Sequence, residues 1–293
     1  IDDFTDFFVV EPSGIDPYGL VKKIDATIRG MEHRFTEFSG EVGKKLSQKE
    51  QQELNYALRT AIGLRQISKI VRHFVEMVKK FKNLQIAMIL QMQLPIIEEI
   101  AKSEFKGTEA FMNGWPIGDS IGPLVAVSFM ESGKKIAEDV VMDEVDIDGR
   151  RCFVLKASGP APSLGRTDEA IEAIFKKHKI SRVITVDAAA KLEGEKSGSV
   201  AEGVGFAMGG YGQRELIENA LLPKRMPIDG IVVKVSIMEA IAPMTKTVFG
   251  SLEKARSLVV KAVKRAAKNE KVIIVGVGNS CGIGDTKKTI KDV

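Results

Sequence analysis

The sequence predicts an α/β fold, with a central, mostly parallel or mixed sheet flanked by helices behind an N-terminal helical region. Three observations predict it. Up to residue 105, apolar side chains recur three and four positions apart, the spacing of an amphipathic helix. From residue 106 onward, short apolar runs of strand length alternate with helical patterns. Two of those runs, Val183-Ile184-Thr185-Val186 and Val272-Ile273-Ile274-Val275, carry no charge, as expected of strands covered on both faces. The chain therefore divides into a helical region, 1–105, and a sheet-bearing domain, 106–293.

The elements follow in order. Residues 1–16 are acidic and aromatic (Phe4, Phe7, Phe8) and are broken by prolines, so they read as an irregular arm. Helical spacing (Leu20, Ile24, Ile28, Met31) runs over 18–45. Ser47 and Glu50 form a capping box, in which the serine accepts an orphan amide and the glutamate reaches back. A long amphipathic helix follows, and then a second apolar one over 84–102, which Pro95 is expected to kink. The Met- and Gln-rich face of this second helix (Met88, Gln91, Met92, Gln93) reads as buried core, or else as a helix–helix interface. Residues 124–130 read as a helix, and 138–147 and 151–157 as a hairpin about Asp148-Gly149, a tight-turn pair. Thr167 is expected to cap a helix ending near Lys177. Strands are expected over 182–186, 230–236 and 271–277, and helices over 213–222 and 251–269, with a Gly-rich loop at 194–212.

Composition excludes several function classes. The chain has 293 residues, 44% hydrophobic and 28% charged, enough to bury a core without disulfides or metals. Its 43 basic and 39 acidic side chains leave a net charge of only +4, too balanced to indicate a nucleic-acid partner. The basic residues of 251–269 read as the solvent side of a helix. Cys152 and Cys281 make no disulfide framework and are expected to be reduced, as in the cytoplasm. His33, His73 and His178 sit in no metal-ligand spacing. The longest strong apolar run, 86–90, is far short of a membrane span. A membrane enters this reading only through a segment upstream of Ile1. No cofactor is expected, although a divalent metal is kept as an alternative.

The site-like features are two aspartates. Asp187 closes an apolar strand, and ligands of open α/β sheets bind where strands end. Asp119 lies in Gly118-Asp119-Ser120-Ile121-Gly122-Pro123, where two glycines and a proline force a tight backbone path. For each, the bland alternative is an aspartate that caps the next turn or helix. The stretch from Leu192 to Gly210 carries Glu193, Glu195, Lys196 and Glu202 among six glycines, Gly203 and Gly205 included. It reads as a substrate-clamping lid, or as a carboxylate metal site completed by the aspartates. Gly278 and Asn279 stand in a loop after the last strand that imitates a dinucleotide fingerprint. Its spacing is wrong, and too little chain follows it to build the required unit.

These motifs resemble a known family. The order Gly118-Asp119-Ser120-Ile121-Gly122-Pro123, then Ala157-Ser158-Gly159-Pro160-Ala161, then Val183 to Ala190, is similar to that of the spore germination endopeptidases and, more distantly, of the hydrogenase maturation peptidases. The resemblance implies a phosphorylase/hydrolase-like fold and a catalytic role for Asp119 and Asp187. The whole chain is closer to an archaeal family of uncharacterised proteins, through Gln91-Met92-Gln93-Leu94-Pro95 and the regions around Pro116 and Pro243. The nickel-binding histidine of the hydrogenase-type relatives has no equivalent here. The expected function is thus a peptidase-like hydrolase with paired aspartates and a peptide or protein substrate. The alternative is a non-catalytic homo-oligomeric assembly or scaffold protein built on the helical region.

Overall fold

The computed structural model describes residues 17–208, 213–221 and 226–292. The arm at 1–16, the end of the Gly-rich loop with Gly209 and Gly210, and Leu222 lie outside the described residues.

Helices α1 (Pro17–Val42), α2 (Gln48–Phe81) and α3 (Leu84–Asn113) form the N-terminal region. Ser47 caps α2 with the reciprocal pair foreseen: its side chain accepts the Glu50 amide while Glu50 accepts the Ser47 amide. Lys82 in the left-handed region and Asn83, whose side chain accepts the Ile86 amide, turn the chain into α3. Pro95 is accommodated inside α3, which continues past 102 to end on left-handed Gly114.

A seven-stranded sheet follows, in the order β1-β2-β3-β7-β4-β6-β5. The strands are β1 (Lys134–Ala137), β2 (Val140–Ile147), β3 (Arg150–Ala157), β4 (Arg182–Ala190), β5 (Val200–Val204), β6 (Ile228–Val235) and β7 (Lys271–Gly276). The inner strands β3, β7, β4 and β6 are parallel, while β1, β2 and β5 pair antiparallel at the edges, so the sheet is mixed. Asp148 and Gly149, both at positive φ, make the tight turn that sets Ile147 opposite Arg150.

Alternation along the strands divides the core. Ile184 and Ile274 face α4 (Ile121–Val127) and α9 (Leu252–Val263). Val183, Phe153 and Ile273 face α5 (Thr167–Lys177) and α6 (Gln213–Leu221). The short helices α7 (Ile237–Ile241) and α8 (Lys246–Phe249) follow β6.

Three expectations are corrected. Thr167 is the first residue of α5 and Arg166 takes the cap position, without a side-chain cap bond. The C-terminal helix stops at Val263, and the chain then turns back toward β7. The 194–212 segment is not all loop, because β5 within it pairs with β6 along the sheet edge. Apart from these, His178 is half-buried and stacks on Phe153, with ring centroids 4.7 Å apart.

Candidate active site

Strand β7 ends at Gly276, opposite Val186 of β4. The Val277 amide still donates to the Val186 carbonyl at 2.8 Å, and at Gly278 the chain turns away with φ +121°. Asp187 is therefore the first residue of β4 beyond the end of β7, while on its other side it still pairs with Val232 of β6. By alternation it shares a face with Val183 and Thr185. It is buried, and the Ala188 amide donates to its Oδ1 at 2.8 Å. Because β4 runs on to Ala190, Asp187 does not close the strand, and the turn-capping role does not arise.

Asp119 reaches the same place from the other side. It sits in a 3-10 turn, Gly118–Ser120, pinned by Ser120, whose hydroxyl accepts the Ile117 amide and donates to the Cys281 carbonyl at 3.1 Å. Its carboxylate does not cap α4. Instead the Asn279 amide donates to Asp119 Oδ2 at 2.7 Å. Asn279 in turn accepts the Cys281 amide at 2.9 Å, which fixes the loop. The two aspartates thus flank one short segment, 277–279.

Two glycines make this convergence possible. A Cβ at Gly122 would stand 2.0 Å from the Val277 carbonyl oxygen and 2.5 Å from that of Val186, so α4 meets the sheet backbone to backbone. A Cβ at Gly278 would meet the Asp119 carbonyl oxygen at 2.2 Å, in addition to the strain of its positive φ. Pro123 lies in the first turn of α4, where no amide is needed.

A cavity of about 970 Å³ opens here, with Asp119, Asp187, Gly278 and Asn279 on its sheet side and α1 and α2 opposite. Asp25, Arg29 and Glu32 of α1 line it, as do Tyr56 and Arg59 of α2. An ion-pair network clamps α1 over the opening. Arg166 bonds Glu32 at 2.7 Å and Asp25 at 3.4 Å, and Arg29 bonds Glu169 at 2.7 Å and Asp25 at 2.8 Å. These residues escaped sequence reasoning, although Asp25, Arg29 and Glu32 stand at the three- and four-residue spacings that put them on one helix face.

Electrostatics distinguish the groups. Burial pushes the Asp119 carboxyl up from the ordinary carboxylate range, opposed by the hydrogen bond from Asn279. Burial also raises the Tyr56 phenol, and Cys281 nearby adds to this. Arg59 is lowered by burial, against the attraction of Glu32 and Tyr56. Both cysteines are free and buried, and burial pushes each thiol up to about 12, so neither is a nucleophile at neutral pH.

The charged residues of the expected lid do not meet the aspartates. Glu195 accepts the Leu192 amide and lies 3.5 Å from Lys234. Glu202, on edge strand β5, pairs with Arg265. Neither of these, nor Glu193, Lys196, Gly203 or Gly205, lines the cavity, where Met208 stands for that segment. The grouping of Asp119, Asp187, Glu193 and Glu195 is therefore not assembled. Among the described residues, no cluster of three or more His, Cys, Asp or Glu is placed to hold a metal ion.

No curated protein matches the chain. Two family models do, and between them they span most of it. "Protein of unknown function (DUF1512) N-terminal domain" matches residues 1–114, and "Domain of unknown function (DUF1512) C-terminal" matches residues 117–284. The junction falls just after α3, where the helical region gives way to the loop that carries Asp119, and the chain belongs to the DUF1512 family.

Proposed function

We propose that this chain is a hydrolase of peptide bonds, with Asp119 and Asp187 as its paired acid and base. The observation that carries the reading is that Asp119 and Asp187 both line one large cavity at the carboxyl end of strands β4 and β7. The mixed sheet and the motif order also support a phosphorylase/hydrolase-like fold related to the germination and hydrogenase maturation peptidases.

The roles follow from the surroundings. Burial favours the protonated form of Asp119, which suits it to the acid role and leaves the base role to Asp187. Asp187, as general base, takes a proton from water as the water oxygen attacks the amide carbon. Asp119 delivers its proton to the departing nitrogen. The products are a carboxylic acid and an amine, and solvent returns the proton from Asp187 to Asp119. The cavity, of about 970 Å³, has room for a short peptide segment, and α1, held by the arginine network, lines it opposite the aspartates.

The test is turnover of a peptide library followed by mass spectrometry. Wild type is expected to cleave a subset of the peptides. Asp187→Asn should lower that rate by about a thousandfold, within the range for loss of a positioned acid or base. A variant that cleaves as fast as wild type removes Asp187 from the chemistry.

A further inference from the structure

Helices α2 and α3 form an antiparallel hairpin, and among the described residues only its base packs on the rest of the chain. The base, with Tyr56, Arg59 and Phe111, walls the cavity. From Arg59 to the end of α2 at Phe81, the hairpin reaches ~33 Å at 1.5 Å per residue. Along that reach large apolar side chains face outward: Leu84 is 73% exposed and Met92 71%, with Phe81, Met88 and Ile89 beside them. Burial in the core does not explain them. By length and composition α3 is apolar enough to cross a membrane, yet none of its most apolar stretch is buried by the described residues.

Charge identifies what covers this surface. Between Ala61 and Ile97 there are six Lys or Arg side chains and one acid, Glu76. Three of the cations, Lys79, Lys80 and Lys82, sit at the turn, and the Lys80 ammonium lies 5.3 Å from the Phe81 ring centre. No charged residue occurs from Asn83 to Ile97. Basic side chains around exposed aliphatic and aromatic ones fit an anionic lipid surface, where headgroups neutralise the lysines and the acyl boundary receives the apolar groups. A second copy of the hairpin fits less well, since it would bring two sets of cations together. Full insertion fits less well too, because α2 would carry Arg65, Lys69 and Arg72 into hydrocarbon.

We propose that the distal α2–α3 hairpin docks this protein on anionic bilayers, its tip at the headgroup level. The inference does not depend on the hydrolase reading.

Flotation of the intact chain with phosphatidylcholine vesicles, with and without phosphatidylglycerol, tests it. Binding should appear with the anionic vesicles and weaken as salt rises. A lysine near an anionic surface is worth about fivefold in binding, so Lys79→Glu/Lys80→Glu/Lys82→Glu should lose about a hundredfold or more. Leu84→Ser/Met88→Ser/Met92→Ser should lose binding at every salt concentration. Circular dichroism shows whether each variant is folded. Phe81→Trp gives an independent readout, a blue-shifted emission on anionic vesicles alone. Equal binding to neutral and anionic vesicles, or no binding to either, overturns the proposal. So does an assembly that dissociates when the apolar triple is introduced while vesicle binding is absent, for the hairpin's occupant is then another copy.

Discussion

Helix α4 and helix α3 are both apolar, yet they end in different surroundings. Every residue of α4 is buried. The buried residues of α3 are Ser103, Gly107, Thr108 and Ala110, none of them large and all in its second half. The cause lies in what flanks each helix. α4 opens with Gly122 and Pro123 and meets β7 so closely that a Cβ at Gly276 would stand 2.4 Å from the Gly122 carbonyl oxygen. That contact seats Leu124, Val125 and Val127 in the sheet core and holds the Asp119 turn against 277–279. Among the described residues α3 has only α2 beside it over its first half, and one neighbour cannot cover a helix that is apolar on all sides. An apolar helix pattern therefore reports a helix and leaves open what the helix faces.

The largest effect that would sharpen the contrast is at Leu124. Leu124→Ala should cost about 3–4 kcal/mol, because the side chain is fully buried where strands and helices leave little room to collapse. Chemical denaturation measures it. A cost below about 1 kcal/mol would mean that α4 is less tightly seated than the contacts around Gly122 require.

This contrast also sets how much was legible. The parallel strands were, because continuous apolar runs have few other uses, and so was the α2 cap, whose chemistry is local. Asp119 and Asp187 stood out through their glycines and strand position, both local signals. The convergence on 277–279 was not legible as such, since it depends on β7 lying between β3 and β4, a long-range pairing. For the same reason Gly278 and Asn279 were noticed without their role. Glu193, Glu195 and Glu202 misled because a Gly-rich, charged stretch reads as a mobile loop, whereas alternation hidden among glycines makes part of it an edge strand. Arg29 and Arg166 were missed because ion pairs between distant segments leave no sequence pattern.

An intermediate effect separates site from scaffold. The Asp119 proton is bound more tightly in the folded chain than in the unfolded one. Stability from this group is therefore full below the unfolded pKa of about 4 and is lost as pH rises toward the higher folded value. Asp119→Asn cannot ionise and keeps an oxygen for the Asn279 amide. It should stabilise the chain by about 1 kcal/mol at pH 7, a gain that vanishes at pH 3, while abolishing peptide cleavage. Thermal melts at the two pH values check it. A variant less stable than wild type at pH 7 would show Asp119 to be structural.

The smallest expected effect is the most pointed. Met92 is as apolar as the core residues of α4, and sequence reasoning placed it in buried core by preference. In the structure its side chain is 71% exposed, so removing it uncovers almost nothing. Met92→Ser should change the unfolding free energy of the free protein by no more than about 0.5 kcal/mol, the range of surface substitutions. Serine's slightly weaker helix propensity accounts for what remains. A loss of 2 kcal/mol or more would show that something already covers Met92 in solution, either another copy, in which case the loss depends on protein concentration, or the chain itself, in which case it does not. The free hairpin would then be no surface at all. Near-zero change, with loss of vesicle binding in the triple variant that includes Met92, would leave the apolar stripe of α3 with a role outside its own chain, and would complete the contrast with α4, whose apolar residues act only within it.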